Sequence, residues 1–309
     1  MTNDFPPLAD QLLPAPTPVP LGRGGPAVAP IAWGMWRFAG NSVAEAQALV
    51  EAALDAGITL FDTADIYGFG EQGFGEAEAL LGRVFATAPA LRRRMVLATK
   101  GGITPPMPYD SSPAWLGRAI DDSLARLGTE GVELWQVHRP DILTHPQELA
   151  RTLEDAHRAG KIGAIGVSNF TPAQIDALAH YLTVPLATNQ PEFSPLHLGP
   201  LVDGQFDQAM RMRLAILAWS PLGGGRIAAP TNAREEAVAA ALDRVATAQG
   251  VSRTTAAFAW IMAHPARAIP IIGSQNADRI REAAAATAVR WTRTQWYDVL
   301  VAARGEALP

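Results

Sequence analysis

The chain has 309 residues, of which 48% are apolar, enough to bury a sizeable core in one large domain. Its net charge is −5 and its pI about 5.7, and the one basic block, "LRRRM" at 91–95, is too small for a nucleic-acid face, so that block reads as a solvated helix end. There is no cysteine, which excludes disulfides, thiolate metal sites and a cysteine nucleophile.

No apolar run reaches membrane-spanning length. The opening "MTNDFPPLADQLLPAPTPVP" lacks the basic start and apolar core of a secretory signal, so a cytoplasmic protein is expected. Its prolines predict an extended arm over residues 1–20, followed by a single domain over 21–309. "VPLGRGGPAVAP" reads as two short extended pieces about a Gly-Gly turn. Eight short apolar runs follow: 31–35, 58–62, 95–100, 133–138, 162–169, 185–190, 214–220 and 268–274. Helical patterns lie between them. One stops at Gly57; another takes Ser112 as N-cap and Pro113 as its first residue and ends at Gly128. Two helices are expected after the seventh strand and a last one near 292–304. Alternating strands and helices predict a parallel sheet with helical crossovers, closed as a (β/α)8 TIM barrel with an N-terminal β-hairpin. A doubly wound open sheet is the runner-up, but no Gly-rich dinucleotide fingerprint follows the first strand.

In such a barrel the active site lies at the carboxyl ends of the strands. Those ends deliver, in order, Asp62 with Tyr67, Lys100, His138, Ser168 with Asn169, Asn189 with Gln190, Trp219 with Ser220, and Gly273 to Gln275. Among 25 basic residues only Lys100 and Lys161 are lysine, and Lys100 ends an apolar run, a setting in which lysine has chemical uses arginine lacks. A tyrosine alone is a poor acid or base near neutrality; an adjacent ammonium is expected to lower its pKa, and an aspartate to hold that ammonium charged. A histidine could then hydrogen-bond a substrate oxygen. Asp62, Tyr67, Lys100 and His138 have this chemistry, although their spacing alone does not single them out. His145, His157, His180, His197 and His264 show no ligand-like spacing, and no metal site is expected. Asp65 reads as a turn or capping residue.

The motifs "GITLFDTADIYG", "VHRPD", "IGVSNF", "NQPEFSPL", "AWSPLGGG" and "IIGSQNADRIREA" make the chain similar to the aldo-keto reductases over about residues 20–285, and to their bacterial short-loop branch. The resemblance implies that Tyr67 is the proton donor, Lys100 and Asp62 its activators, and His138 the substrate orienter. It implies a nicotinamide cofactor, NADPH, with NADH as a weaker alternative. Ser168, Asn169 and Gln190 would hold the carboxamide and Trp219 would stack on the nicotinamide. Ser220, Leu222, Gly223 and Gly225 would follow the pyrophosphate. Ser274, Arg279 and Glu282, beside Gly273 and Gln275, would form the 2′-phosphate and adenine site. Gln275 stands where many relatives carry a basic residue, which bears on the preference for NADP. Trp36, Phe38, Met35 and Trp115 are expected to line the pocket of a small carbonyl substrate.

The expected function is reversible NADPH-dependent reduction of a small aldehyde or ketone by a monomer or weak homo-oligomer. Two rival readings are an NADPH-binding regulatory subunit, which calls for an exposed apolar patch that the sequence does not reveal, and a Schiff-base aldolase using Lys100.

Overall fold

The computed structural model describes residues 10–308. Eight parallel strands close into a barrel: Ala32–Gly34, Leu60–Asp62, Val96–Gly101, Val132–Val137, Ile162–Ser168, Thr188–Gln190, Ala215–Ala218 and Ile269–Ile272. These are the eight expected segments: six lie within the expected bounds, while the third runs on to Gly101 and the fourth begins at Val132. The eighth strand returns to the first, pairing Ile271 with Ala32 and Ile272 with Trp33, so the open-sheet alternative is excluded. The fold is a (β/α)8 TIM barrel.

The side-chain period of two sorts each strand into an inner and an outer set. Ala32, Leu60, Ala98, Leu134, Leu217 and Ile269 form the cluster inside the barrel. Trp33, Phe61, Leu97, Trp135, Val167 and Ile216 face outward into the larger cluster under the helices. Val19, Leu21 and Val28 join the inner cluster. The antiparallel pieces Val19–Pro20 and Ala27–Val28 thus form the expected hairpin, and its apolar side chains pack with the barrel's interior.

Residues 1–9 of the expected N-terminal arm lie outside the described residues. The rest of the arm runs along the C-terminal segment: Leu13 N–H donates to Trp291 O at 2.8 Å, and Arg293 N–H donates to Gln11 O at 3.1 Å. Arg267 binds the backbone oxygens of Thr17 and Pro18.

Helix starts follow side-chain chemistry. Ser42 and Glu45 form a reciprocal capping box before Val43–Asp55, and Ser112 caps Pro113–Leu127, which ends at Gly128 with φ of 63°. His145 also has a structural task, since its ring accepts from Gln147 N–H at the start of Pro146–Arg158. Ala233–Gln249 and Arg253–Met262 are the two helices expected after the seventh strand, and Arg293–Arg304 is the last. A small hairpin after the third strand, Ile103–Thr104 with Met107–Tyr109, was not expected. No helix among the described residues is long and apolar enough to cross a membrane.

Candidate active site

Asp62 and Lys100 share the inward phase of the second and third strands, near the carboxyl end of the barrel. Each is almost fully buried. Lys100 Nζ donates to Asp62 Oδ2 at 2.6 Å and to Thr63 O at 2.8 Å. The other carboxylate oxygen, Oδ1, accepts from Gln190 Nε2 at 3.0 Å and Gln136 Nε2 at 3.3 Å. Burial alone would lower the pKa of Lys100, but the charge of Asp62, with help from Tyr67, outweighs it and raises the value. The ammonium is therefore retained at neutral pH.

Tyr67 comes off the loop after the second strand and lies over this pair, with Lys100 Nζ 4.9 Å from its ring centroid. Its walls are aromatic. The Trp36 ring packs edge-on at 5.1 Å between centroids and the His138 ring at 5.9 Å. Here the structure corrects the expected shift: burial dominates and raises the Tyr67 pKa above its ordinary value, with Lys100 pulling the other way. Tyr67 thus stands as a protonated phenol. Burial, followed by the charges of Lys100 and Arg139, holds His138 well below its ordinary value, so its imidazole is neutral.

A cavity of about 750 Å³ opens from this cluster and reaches Arg279 and Glu282. Asp62, Tyr67, His138, Ser168, Asn169, Gln190, Trp219, Ser220 and Leu222 line it, as do Gly225, Gly273 and Ser274. Lys100 is enclosed beneath its floor. Asn169 bridges two strands: its Nδ2 donates to His138 O and Ser168 Oγ, and its Oδ1 accepts from Trp219 Nε1 at 2.9 Å. Ser168 Oγ donates to Gln190 O at 2.9 Å. Asn169 and Ser220 hold positive φ, 60° and 52°, where the chain turns away from the barrel.

Several expected wall residues lie elsewhere. Met35 and Phe38 are fully buried and do not line the cavity. Met35 follows Gly34 on the outward phase of its strand, and Phe38 packs edge-on against Trp33 in the outer core. Trp115 is half-buried at the start of its helix, beside Arg118. Gly223 is buried behind the loop, under Leu196, while its neighbour Gly224 lines the cavity. Gln275 also misses the cavity, and its amide has no partner among the described residues. Trp36, at 62% exposure, does line it.

Sequence reasoning missed Gln136, Arg37, Arg139, Thr254 and Phe258. Gln136 was within reach, since it stands two residues before His138 and hence on the same inward face. The rim is more apolar than expected: Phe69, Met107, Ile142 and Leu143 are exposed on the loops after strands two to four. Asp65 is no surface turn residue. It is buried with both carboxyl oxygens unpartnered, and burial followed by repulsion from Glu78 raises its pKa well above its ordinary value. Among the described residues no cluster of acidic and histidine side chains is arranged to hold a metal ion.

The residues present fit a nicotinamide dinucleotide. The cavity takes in Tyr67, Arg279 and Glu282, and the indole of Trp219 lines it. Gln190 Oε1 receives no hydrogen bond from a described residue, which leaves an acceptor for a carboxamide N–H. Gly224 and Gly225 have φ of 71° and 97°, and a Cβ on either would meet only open space. Such a loop presents backbone to a phosphate without side chains in the way.

Residues 30–300 match the model of the Aldo/keto reductase family. The chain is 64% identical over 292 residues to a 6-dehydroglucose reductase of Novosphingobium aromaticivorans, covering 94% of this chain and 96% of that one. It is 37% identical to a 6-dehydroglucose reductase of Agrobacterium fabrum, over 89% of this chain and 94% of the other. With oxidoreductase YdhF of Escherichia coli it shares 36% identity over 92% and 97% of the two chains. A thermostable aldo-keto reductase, solved in complex with the inhibitor epalrestat, has the same fold, with a TM-score of 0.81, 23% identity, and coverage of 93% of this chain and 99% of that one. The chain therefore belongs to the aldo/keto reductase family and is a carbonyl-reducing oxidoreductase.

Proposed function

We propose that the protein reduces an aldehyde to an alcohol, reversibly, with NADPH, and that Tyr67 supplies the proton. The observation that carries this reading is the stack of Tyr67 over the buried Lys100–Asp62 pair at the mouth of a long cavity. NADPH, when bound, supplies the hydride that reaches the carbonyl carbon. The protein's part is to bind and polarise the carbonyl oxygen. Neutral His138 donates one hydrogen bond to it. Tyr67, a full phenol at neutral pH, gives it a proton as negative charge develops. Lys100 stays charged beneath the ring and stabilises the phenolate left behind, and Asp62, held by Gln136 and Gln190, fixes Lys100 in place.

Ser168, Asn169 and Gln190 would meet the carboxamide, and Trp219 the nicotinamide ring. Ser220 to Gly225 would follow the pyrophosphate. Arg279, Ser274 and Glu282 would take the adenosine end, where Arg279 favours NADPH over NADH. The names of the Novosphingobium and Agrobacterium relatives make 6-dehydroglucose the first substrate to try.

The test is steady-state oxidation of NADPH and NADH against 6-dehydroglucose and an activated aromatic aldehyde. Turnover of either aldehyde with NADPH is expected. Tight NADPH binding with negligible turnover of both would instead make the protein a cofactor-binding regulatory subunit. The aldolase reading conflicts with the raised pKa of Lys100, because a charged ammonium is no nucleophile. Borohydride is accordingly expected to trap no substrate adduct on Lys100, and a substrate-dependent mass increase mapped to that residue would contradict the reductase mechanism.

A further inference from the structure

We propose that Arg139 is a specificity-determining residue. It would donate hydrogen bonds to oxygen substituents of the carbonyl substrate, so that a hydroxylated or oxyanion-bearing aldehyde is preferred over a plain alkyl one. The inference rests on the reading that Tyr67 and His138 mark the reacting carbonyl.

Arg139 directly follows His138 and lines the same cavity as Tyr67 and Trp36. It is only partly exposed, and its guanidinium lies 5.7 Å from the centroid of the Trp219 ring. Among the described residues it has neither an ion pair nor a side-chain hydrogen bond. The acid that the sequence "HRPD" sets beside it, Asp141, is engaged elsewhere. One Asp141 oxygen accepts from Leu143 N–H at 2.9 Å, and the other from Ser111 N–H at 2.9 Å and Thr144 Oγ1 at 2.7 Å. Other arginines of the chain do find a carboxylate, for example Arg92, Arg126 and Arg253.

Among the described residues no carboxylate pairs with Arg139, and the Trp219 ring beneath its guanidinium offers a cation–π contact but no hydrogen-bond acceptor. Asp62, the carboxylate nearest the reacting end, is neutralised by Lys100 at 2.6 Å, and His138 is neutral. A guanidinium with five N–H donors and no acceptor of its own is left facing the substrate space. Oxygen acceptors satisfy it, either the hydroxyls of a polyol aldehyde or an oxyanion such as a phosphate. An alkyl aldehyde would cover it without satisfying it, and that asymmetry is how polar sites reject analogues lacking a hydrogen-bonding group.

The test is kcat/KM with NADPH for the wild type, Arg139→Met and Arg139→Lys on glyceraldehyde, glyceraldehyde 3-phosphate and butanal. Comparing substrates within one variant cancels any difference in folded fraction. Arg139→Met is expected to lower kcat/KM on one or both oxygenated aldehydes by at least about tenfold more than on butanal. Loss on both shows that hydroxyls suffice; loss on the phosphate ester alone assigns the preference to an oxyanion. Arg139→Lys should recover part of the loss on the phosphate ester. An equal loss on all three aldehydes would overturn the proposal, because it would mean that Arg139 acts through His138 or Trp219. So would no loss, or an NADPH Kd changed by more than about tenfold, the mark of a cofactor residue. If the wild type reduces none of the three nor 6-dehydroglucose, the carbonyl-reduction reading itself fails and takes this inference with it.

Discussion

Lys100 occupies a position where a barrel interior usually carries a branched apolar side chain, and no water reaches it. What keeps it charged is local: one carboxylate, one backbone carbonyl and the Tyr67 ring. Tyr67 in turn is kept protonated by burial. Arg279 is the residue on which cofactor choice should turn. It stands at the far end of the cavity on helix Ala277–Ala284, and Asn276 caps the N–H groups of Asp278 and Arg279 there. Its side chain has no ion pair among the described residues. Arg279→Ala should cost about 1.5–3 kcal/mol in NADPH binding, since a guanidinium–phosphate contact is charge-assisted. NADH, which lacks that phosphate, should lose far less. Fluorescence titration with both nucleotides checks this, and an unchanged ratio of the two affinities would remove Arg279 from the phosphate site.

At the scale of elements, the strand ends were readable because alternation and register act together. Asp62, Lys100, His138, Ser168 and Gln190 all stand on the inward phase at one end of the barrel, so a single periodicity collects them. The same rule, applied to Met35, would have sent it outward to the helices, where it is found. Phe38 and Arg139 lie beyond the strands, where loop geometry and not periodicity aims the side chain, and Trp115 stands in the first turn of helix Pro113–Leu127, whose placement the strand rule does not fix. The burial of Asp65 was illegible for the same reason. Beneath the site, the fifth strand is pressed close to its neighbours. A Cβ on Gly166 would stand 2.1 Å from Thr188 Oγ1 and 2.8 Å from Gln136 Cγ. Thr188 Oγ1 donates to Gln136 Oε1 at 3.0 Å, and Gln136 donates onward to Asp62. Gly166→Ala should therefore destabilise the fold by roughly 1–3 kcal/mol, as overpacking does, and slow turnover by disturbing Asp62. Urea unfolding with the aldehyde assay reads both effects; wild-type stability would show that the strand has room to move.

At the scale of the whole molecule, the buried acids tie stability to pH. The folded-state pKa of Asp65 is raised, chiefly by burial and then by Glu78, and that of Glu78 is raised by burial. As pH climbs out of the acid range the unfolded chain releases these protons while the folded one keeps them. The folded state then binds more protons, and stability falls with rising pH until the folded pKa values are passed. For one such group the slope is at most about 1.4 kcal/mol per pH unit. Asp65→Asn removes its share, so the stability of the variant relative to wild type should grow as pH rises above the ordinary carboxylate pKa, leaving only the slope from Glu78 and other groups. Parallel curves for the two proteins across that range would mean that Asp65 is ionised in the folded barrel.

The second strand, we propose, ends where it does to set Tyr67 over Lys100 and the substrate oxygen. Tyr67→Phe keeps the ring, its packing against Trp36 and His138, and the walls of the cavity; it deletes one hydroxyl. The direct measurement is kcat for aldehyde reduction in this variant alongside its NADPH Kd. Loss of a general acid predicts a fall of about 100-fold to 10,000-fold in kcat, with the Kd changed by less than about threefold, under 1 kcal/mol. Reduction at a near wild-type rate would make Tyr67 a wall of the pocket, with the proton coming from another group.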